Sequence, residues 1–196
     1  MREQTLLKLA KARSIPERLV SLHEIEARPI KKGKKFPPCE FGSTLQLVFN
    51  RQGFLITTEN FIGQPQDKTL YRETLKLYYQ RMKRYPHRVI TDQGYRSRLN
   101  RTQTPKSVKS VLMGRSEDVA EKEREGCISA RSATEGFIAV AKNLRGFRKS
   151  LYPHLKGHRI WTLLCQITCN LKKFLQLYRK EEISEKSLIA LGLLST

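Results

Sequence analysis

The chain has 196 residues and a formal net charge of +20, because 38 Lys and Arg stand against only 18 Asp and Glu. Its length and its hydrophobic fraction of 39% are sufficient for one domain with a hydrophobic core. Such an excess of positive charge is atypical of enzymes of small metabolites and indicates a polyanionic partner. Nucleic acid is favoured over a membrane surface, because the basic residues are spread over the whole chain.

The sequence shows no zinc motif and no membrane-spanning segment. Its cysteines lack paired CxxC spacing, so we expect reduced thiols at Cys39, Cys127, Cys165 and Cys169. The histidines show no nucleophile–base or metal-ligand pattern: His23, His87, His154 and His158. The N-terminus lacks the apolar core of a signal peptide, and the run "IWTLLCQITCNL" is too short to span a bilayer. We therefore expect a soluble, cytoplasmic protein.

In the N-terminal half, basic segments surround a predicted β-hairpin. Residues 3–13 predict a short basic helix, and residues 14–30 predict an extended stretch interrupted by prolines. A basic loop, "KKGKKFPP", occupies residues 31–38. The segment "CEFGSTLQLVFNRQGFLITTENFIG" then alternates in polarity and predicts two antiparallel strands joined at "NRQG".

The C-terminal half predicts helices around two further strands, and hence an α/β fold. Helical spacing from Asp67 to Pro86 predicts a helix with one core face and one basic face, with Asp67 at its N-cap. The runs "HRVITD" and "SVKSVLMG" predict strands, and "RSEDVAEKEREG" predicts a loop or a solvated helix. Apolar residues recur at helical spacing again from Ser129. The final helix, "IWTLLCQITCNLKKFLQLYRK", is apolar on most sides, as expected of a helix packed into the core.

Two acids on different predicted elements suggest phosphoryl-transfer chemistry. Asp92 ends a predicted strand, and Glu135 shares a narrow arc of a predicted helix with Arg131, Lys142 and Arg145. Carboxylates from separate elements can hold two divalent cations, which stabilise the attacking and leaving oxygens of a phosphodiester. Each acid also has an ordinary interpretation. A strand-end Asp is often a turn former, and an Arg–Glu pair four residues apart is usually a solvated ion pair.

The segments "TDQGYR" and "RSATEGFIAVAK" together resemble the second-Asp and Glu motifs of bacterial insertion-sequence DDE transposases. Arg131 precedes Glu135 by four residues and Lys142 follows it by seven, although Ile128 stands where the motif has a Tyr. The segment "ERLVSLHEIEARPIKKGKKFPPCEFGS" is similar to the linker and Lys-Gly-Lys region of one such group, and "HLKGHRIWTLLCQITCNLKKFL" to its closing helix. The resemblance extends from Ile15 to Arg179.

The resemblance implies an RNase H-like mixed sheet flanked by helices, in an enzyme that cleaves and rejoins DNA ends with Mg²⁺ or Mn²⁺. Asp92 and Glu135 would be the second and third metal-binding acids, and Gly94 would allow a tight turn behind Asp92. DNA contacts would come from basic residues beside the acids and in the basic loop: Arg131, Lys142, Arg145, Lys31, Lys32, Lys34 and Lys35. The chain would divide into an N-terminal helix and linker (1–30), a partial catalytic domain (31–150) and a helical segment packed on it (151–196).

The first metal-binding acid of this family has no counterpart here, because no Asp precedes Asp67 and Asp67 falls at a helix start. Only Glu24 or Glu26 could reach the site, from the extended stretch. We therefore interpret the chain as the C-terminal half of a transposase catalytic domain without its first catalytic strand, inactive alone and nucleoid-associated. Its expected partners are transposon-end DNA, the missing half, and a second copy paired through open strand edges. The alternative is a non-catalytic, basic nucleic-acid-binding protein, so whether the chain is itself an enzyme stays open.

Overall fold

The computed structural model describes residues 2–15, 18–31, 36, 39–114 and 121–180. The helices are α1 (Arg2–Leu9), α2 (Asp67–Met82), α3 (Arg98–Thr102), α4 (Glu121–Leu144) and α5 (His154–Arg179), with a 3-10 turn at Gln93–Tyr95. The strands are β1 (Arg28–Lys31), β2 (Cys39–Phe49), β3 (Leu55–Ile62), β4 (Arg88–Thr91) and β5 (Ser110–Met113). The protein therefore has a mixed α/β fold, as predicted.

An antiparallel sheet is formed by β1, β2 and β3, in that order. The predicted hairpin is confirmed: β2 and β3 pair from Ser43↔Ile62 to Phe49↔Leu55, with an irregularity between Val48 and Phe49. The sequence did not predict β1, which pairs with the start of β2 from Arg28↔Gly42 to Lys31↔Cys39. Pro29 fits in this short strand because a proline is tolerated where no ladder hydrogen bond is needed from its nitrogen.

A second, parallel sheet consists of β4 and β5, which pair from Arg88↔Ser110 to Thr91↔Met113. Both strands were predicted. Within the described residues, no ladder of hydrogen bonds joins this pair to the antiparallel sheet. Other contacts must therefore hold the two sheets together.

The core between α2 and the parallel sheet is small and rich in aromatic residues. Tyr71 and Leu75 of α2 pack with Met113 of β5, and all three are buried. Partly buried side chains extend this cluster: Tyr85, Val89, Tyr95 and Val111. The helix begins at Asp67, one residue earlier than an Asp67 N-cap would require, because Gln66 occupies the N-cap position. It ends at Met82, after which Lys83 adopts a left-handed conformation.

A buried glutamine connects the antiparallel sheet to the rest of the fold. Gln46 of β2 donates a hydrogen bond from Nε2 to the Tyr95 hydroxyl, at 2.8 Å, and accepts one from Thr74 Oγ1 of α2, also at 2.8 Å. Tyr95 belongs to the 3-10 turn that follows β4. One amide side chain therefore bridges β2, α2 and the end of β4.

The helix α5 packs on β3 through polar side chains, contrary to the expectation of an apolar helix in the core. Gln166 donates from Nε2 to the carbonyl oxygens of Leu55 and Ile56, at 2.8 and 3.1 Å. Asn170 accepts from the Leu55 amide at 2.8 Å and donates to its carbonyl oxygen at 2.9 Å. The β3 end at Leu55 thus obtains its hydrogen-bond partners from α5.

Cys165 and Leu177 of α5 are buried, but seven other apolar residues of this helix face outward instead. They lie within an arc of about 120° at a helical 100° per residue, and they are exposed: Ile160, Leu163, Leu164, Ile167, Leu171, Leu175 and Tyr178. The prediction for α5 was wrong because the apolar content of a helix does not show which of its faces hydrogen-bonds to a neighbouring strand. Among the described residues, no helix is long and apolar enough to cross a membrane.

Substitutions at two neighbouring residues of α5 should therefore differ strongly in their effect on stability. Gln166→Ala leaves the Leu55 and Ile56 carbonyls without this donor, so we expect the free energy of unfolding to fall by about 1–3 kcal/mol. Ile167→Gln, at a side chain that is 63% exposed, should change it by less than about 0.5 kcal/mol. Urea denaturation of both variants measures this. A larger loss for Ile167→Gln than for Gln166→Ala would contradict the orientation of α5.

Candidate functional site

Asp92 lies directly after β4 and caps the 3-10 turn. Its carboxylate accepts a hydrogen bond from the Gln93 amide at 2.9 Å. This is the turn-former role expected of many strand-end aspartates. The side chain is nevertheless 70% exposed, so the capping bond leaves most of the carboxylate accessible to another cationic partner.

Arg131 of α4 brings the two predicted acids to one place. Its Nη2 lies 3.0 Å from Asp92 Oδ1, and its Nε lies 3.4 Å from Glu135 Oε1. Its Nη1 donates to the carbonyl oxygen of Gly114, just after β5, at 3.3 Å. The guanidinium thus contacts the ends of both parallel strands and one acid of its own helix. These ion pairs are exposed, so each stabilises the fold by about 1 kcal/mol or less.

A third carboxylate, Asp67 at the start of α2, lies beside Asp92. Burial and the neighbouring Asp92 charge raise the pKa of Asp67 above its ordinary value of 3.8. Burial is the main cause that raises the pKa of the Tyr95 hydroxyl, and the charges of Asp67 and Asp92 raise it further. Sequence reasoning set Asp67 aside because it falls at a helix start. The structure shows that this helix start lies next to the end of β4.

Gly94 makes room for Asp67 and does not provide an unusual turn. As expected, the chain turns tightly at Gly94, the middle residue of the 3-10 turn after Asp92, but its φ lies outside the left-handed region, so the turn itself does not require a glycine. A Cβ placed on Gly94 would lie 3.1 Å from Asp67 Cγ and 3.2 Å from Asp67 Cβ, and would collide with the carboxylate oxygen. The absence of a side chain here is what allows Asp67 and the turn after Asp92 to pack together.

The predicted DNA-contacting residues do not form a single group. Lys142 is exposed on α4, two helical turns beyond Glu135. Arg145 lies close to Cys169 of α5. Burial raises the pKa of the Cys169 thiol, and the positive charge of Arg145 lowers it in part. Lys31 is exposed at the end of β1, where its backbone bonds the Gln64 side chain. Three further residues of the predicted basic loop lie outside the described residues: Lys32, Lys34 and Lys35.

A basic segment that the sequence analysis passed over follows Asp92 directly. Residues 93–109 contain no acid, and they carry five exposed cations: Arg96, Arg98, Arg101, Lys106 and Lys109. The signal was available in the sequence as "RSRLNR", between two predicted strands. This segment begins next to Asp92 and adds positive charge to the surface, which favours contact with phosphate groups, although its last cation, Lys109, lies at the opposite end of β4.

The site contains oxygen ligands suited to Mg²⁺, which prefers carboxylates and water. However, Arg131 stands between Asp92 and Glu135, so a cation shared by these acids must compete with the guanidinium. Glu24 and Glu26 do not reach this site. Their carboxylates accept hydrogen bonds from the first amides of α5, those of His154 and Leu155.

Replacing Asp67 should change how stability depends on pH. Because its folded-state pKa is raised, the folded protein binds this proton more tightly, and ionisation of Asp67 weakens the fold as pH rises above about 3.8. Asp67→Asn cannot ionise. The free energy of unfolding of this variant, relative to wild type, should therefore increase across that window and level off above the raised pKa.

Urea titrations at pH steps between about 3.5 and 7 measure this difference. Glu73→Gln, at an exposed acid of the same helix that pairs with Lys76, serves as the control. A difference between Asp67→Asn and wild type that stays constant with pH would contradict the placement of Asp67 beside Asp92.

Comparisons of the chain with protein-family models, curated proteins and solved structures gave no match. The function must therefore be argued from the site itself, in which one arginine joins two acids on a strongly basic protein.

Proposed function

We propose that this chain is the C-terminal part of an RNase H-like catalytic domain of the DDE-transposase type. In this proposal it binds DNA through its basic surface and does not cleave DNA alone. The observation that carries the proposal is the contact of Arg131 with both Asp92 and Glu135. These acids are 43 residues apart in the sequence, and they are the two that the transposase resemblance selects.

The order of the elements supports this interpretation. A hairpin, a helix, a strand ending in Asp92, a parallel strand and a long helix with Glu135 follow one another. No strand ladder joins the β4–β5 pair to the antiparallel sheet within the described residues. A missing catalytic strand between the two sheets would leave them separated in this way. The start of the basic segment, directly after Asp92 in the sequence, would then contact phosphates near the acids.

The lack of cleavage follows from the ligand set. A two-metal site needs carboxylates that bridge and flank two cations. Asp92 and Glu135 share one arginine, and Asp67, although close to Asp92, is partly buried and favours its protonated form more than an ordinary aspartate. A missing strand would have to supply another acid and displace Arg131. Until then, the exposed Asp92 could bind a single ion that links it to a DNA phosphate, which is too little for cleavage.

The second candidate function is non-catalytic nucleic-acid binding, and the same arginine favours it. If the acids serve only to fix Arg131 at the ends of β4 and β5, the site is structural and the cations alone contact the nucleic acid.

Self-association remains part of either proposal. The exposed apolar face of α5 adds a surface for it beyond the open strand edges.

We expect no nicking of supercoiled plasmid DNA by the purified chain in Mg²⁺ or Mn²⁺, because the ligand set is incomplete. Agarose gels report relaxation of the plasmid over hours of incubation. Asp92→Ala is the control for contaminating nucleases. Metal-dependent nicking by the wild type that disappears in Asp92→Ala would overturn the proposal of an inactive part.

Charge reversal at Asp92 separates the two candidate functions. If a metal links Asp92 to DNA, Mg²⁺ should tighten DNA binding relative to EDTA at matched ionic strength, and Asp92→Lys should lose that gain. If the site only binds nucleic acid through its cations, Asp92→Lys should tighten binding equally with and without Mg²⁺. Fluorescence anisotropy with a labelled duplex measures both dissociation constants.

The matched control for this charge change is Glu73→Lys, since Glu73 is an exposed acid of α2 paired with Lys76. It should tighten binding no more than a general change in net charge requires. A magnesium-dependent gain that survives Asp92→Lys would rule out a metal link through Asp92.

A further inference from the structure

Two histidines and two glutamates meet at the start of α5, outside the site described above. His154 and His158 are four residues apart at the start of this helix. Glu24, 130 residues before His154, contacts both of them. Its Oε1 lies 3.8 Å from His154 Nδ1, and its Oε2 lies 3.6 Å from His158 Nε2.

The donor atoms are close enough to share one ion. One ligand atom each from Glu24, Glu26 and His154 lie within 4.8 Å of one another. Tetrahedral Zn²⁺, with bonds of about 2.0–2.1 Å, needs donors about 3.3 Å apart. Small side-chain rotations would therefore suffice. Two imidazoles with two carboxylates also match the ligand preference of Zn²⁺ better than that of Mg²⁺.

The second histidine is held with one nitrogen directed at the cluster. His158 Nδ1 forms a 3.0 Å hydrogen bond with Ser43 Oγ of β2, and its side chain is only 15% exposed. When Nδ1 donates to that hydroxyl, Nε2 carries the lone pair and faces Glu24. This is the arrangement by which a partner on one ring nitrogen prepares the other for a metal.

The carboxylates already have a structural task, which leaves the histidines unexplained. Glu24 and Glu26 accept hydrogen bonds from the His154 and Leu155 amides, and negative charge is stabilising at a helix N-terminus. Each carboxylate oxygen has a second lone pair, so an amide and a cation can bind the same group. The helix dipole opposes a cation here, but two carboxylate charges exceed its half charge.

We propose that Glu24, Glu26 and His154, with His158 beside them, form a binding site for a divalent transition metal of the Zn²⁺ type. The metal would fasten the segment before β1 to the first turn of α5. Its role is that of a structural clasp, and it does not depend on the phosphoryl-transfer proposal. The two glutamates and the two histidines are separated by more than a hundred positions in the sequence, so no local motif predicts this site.

The test is zinc titration of the untagged full chain, by calorimetry and by thermal unfolding. At about 100 times the dissociation constant, the melting temperature should rise by about 5–10 °C. His154→Asn removes the imidazole and keeps a residue that tolerates the positive φ of 61° at this position. Glu26→Gln keeps an oxygen for the Leu155 amide. Both variants should bind zinc at least about tenfold more weakly.

His87→Asn, the same change at an exposed histidine near β4, should bind zinc as the wild type does. Far-UV circular dichroism verifies that each variant is folded, and Glu26→Gln decides the matter if His154→Asn is not. Equal affinity of wild type, His154→Asn and Glu26→Gln would overturn the proposal. So would zinc binding that disappears in Cys169→Ser, because the ion would then be held by the α5 thiols.

Discussion

Gln46 links the two sheets of the fold by hydrogen bonds, since no strand pairing joins them within the described residues. A buried amide must find partners for its oxygen and its nitrogen, and here these partners lie on α2 and on the turn after β4. The position of Asp92 relative to the hairpin is therefore set by side-chain contacts, those of Gln46 together with the packing of α2 on β3 and of Phe137 on Phe49, where a continuous sheet would set it by backbone ladders.

Local patterns were sufficient to predict most elements. The hairpin, α2, β4 and β5 each combine the appropriate periodicity with a clear terminator, such as Pro86 after α2 or the turn at 50–53. By contrast, β1 has only four residues and contains a proline, so its strand character comes from pairing with β2 and not from its own sequence. The orientation of α5 could not be predicted from its composition either. Gln166 and Asn170 face inward because they hydrogen-bond the backbone of Leu55, and this requirement is visible only in the structure.

In the site, too, local sequence was sufficient to predict some residues, while others became apparent only from the tertiary packing. The meeting of Asp92 and Glu135 follows from two motifs, and the sequence placed both residues on the correct elements. Asp67 was not expected near Asp92 because it falls at a helix start, yet the structure places the two carboxylates side by side. A helix that precedes a strand and packs back along it brings its first residue to the far end of that strand. This geometric argument required no coordinates, and it would have identified the third carboxylate.

The outward apolar face of α5 has a consequence for how this protein would be handled. Dyes such as ANS bind accessible apolar surface, and their fluorescence is commonly taken as the mark of a molten globule. A native helix with residues such as Ile167 and Leu171 in solvent would bind the dye while the chain is fully folded. Dye fluorescence would then fall when a true partner covers this face. The same reagent that misreports the folding of this protein could therefore report its assembly.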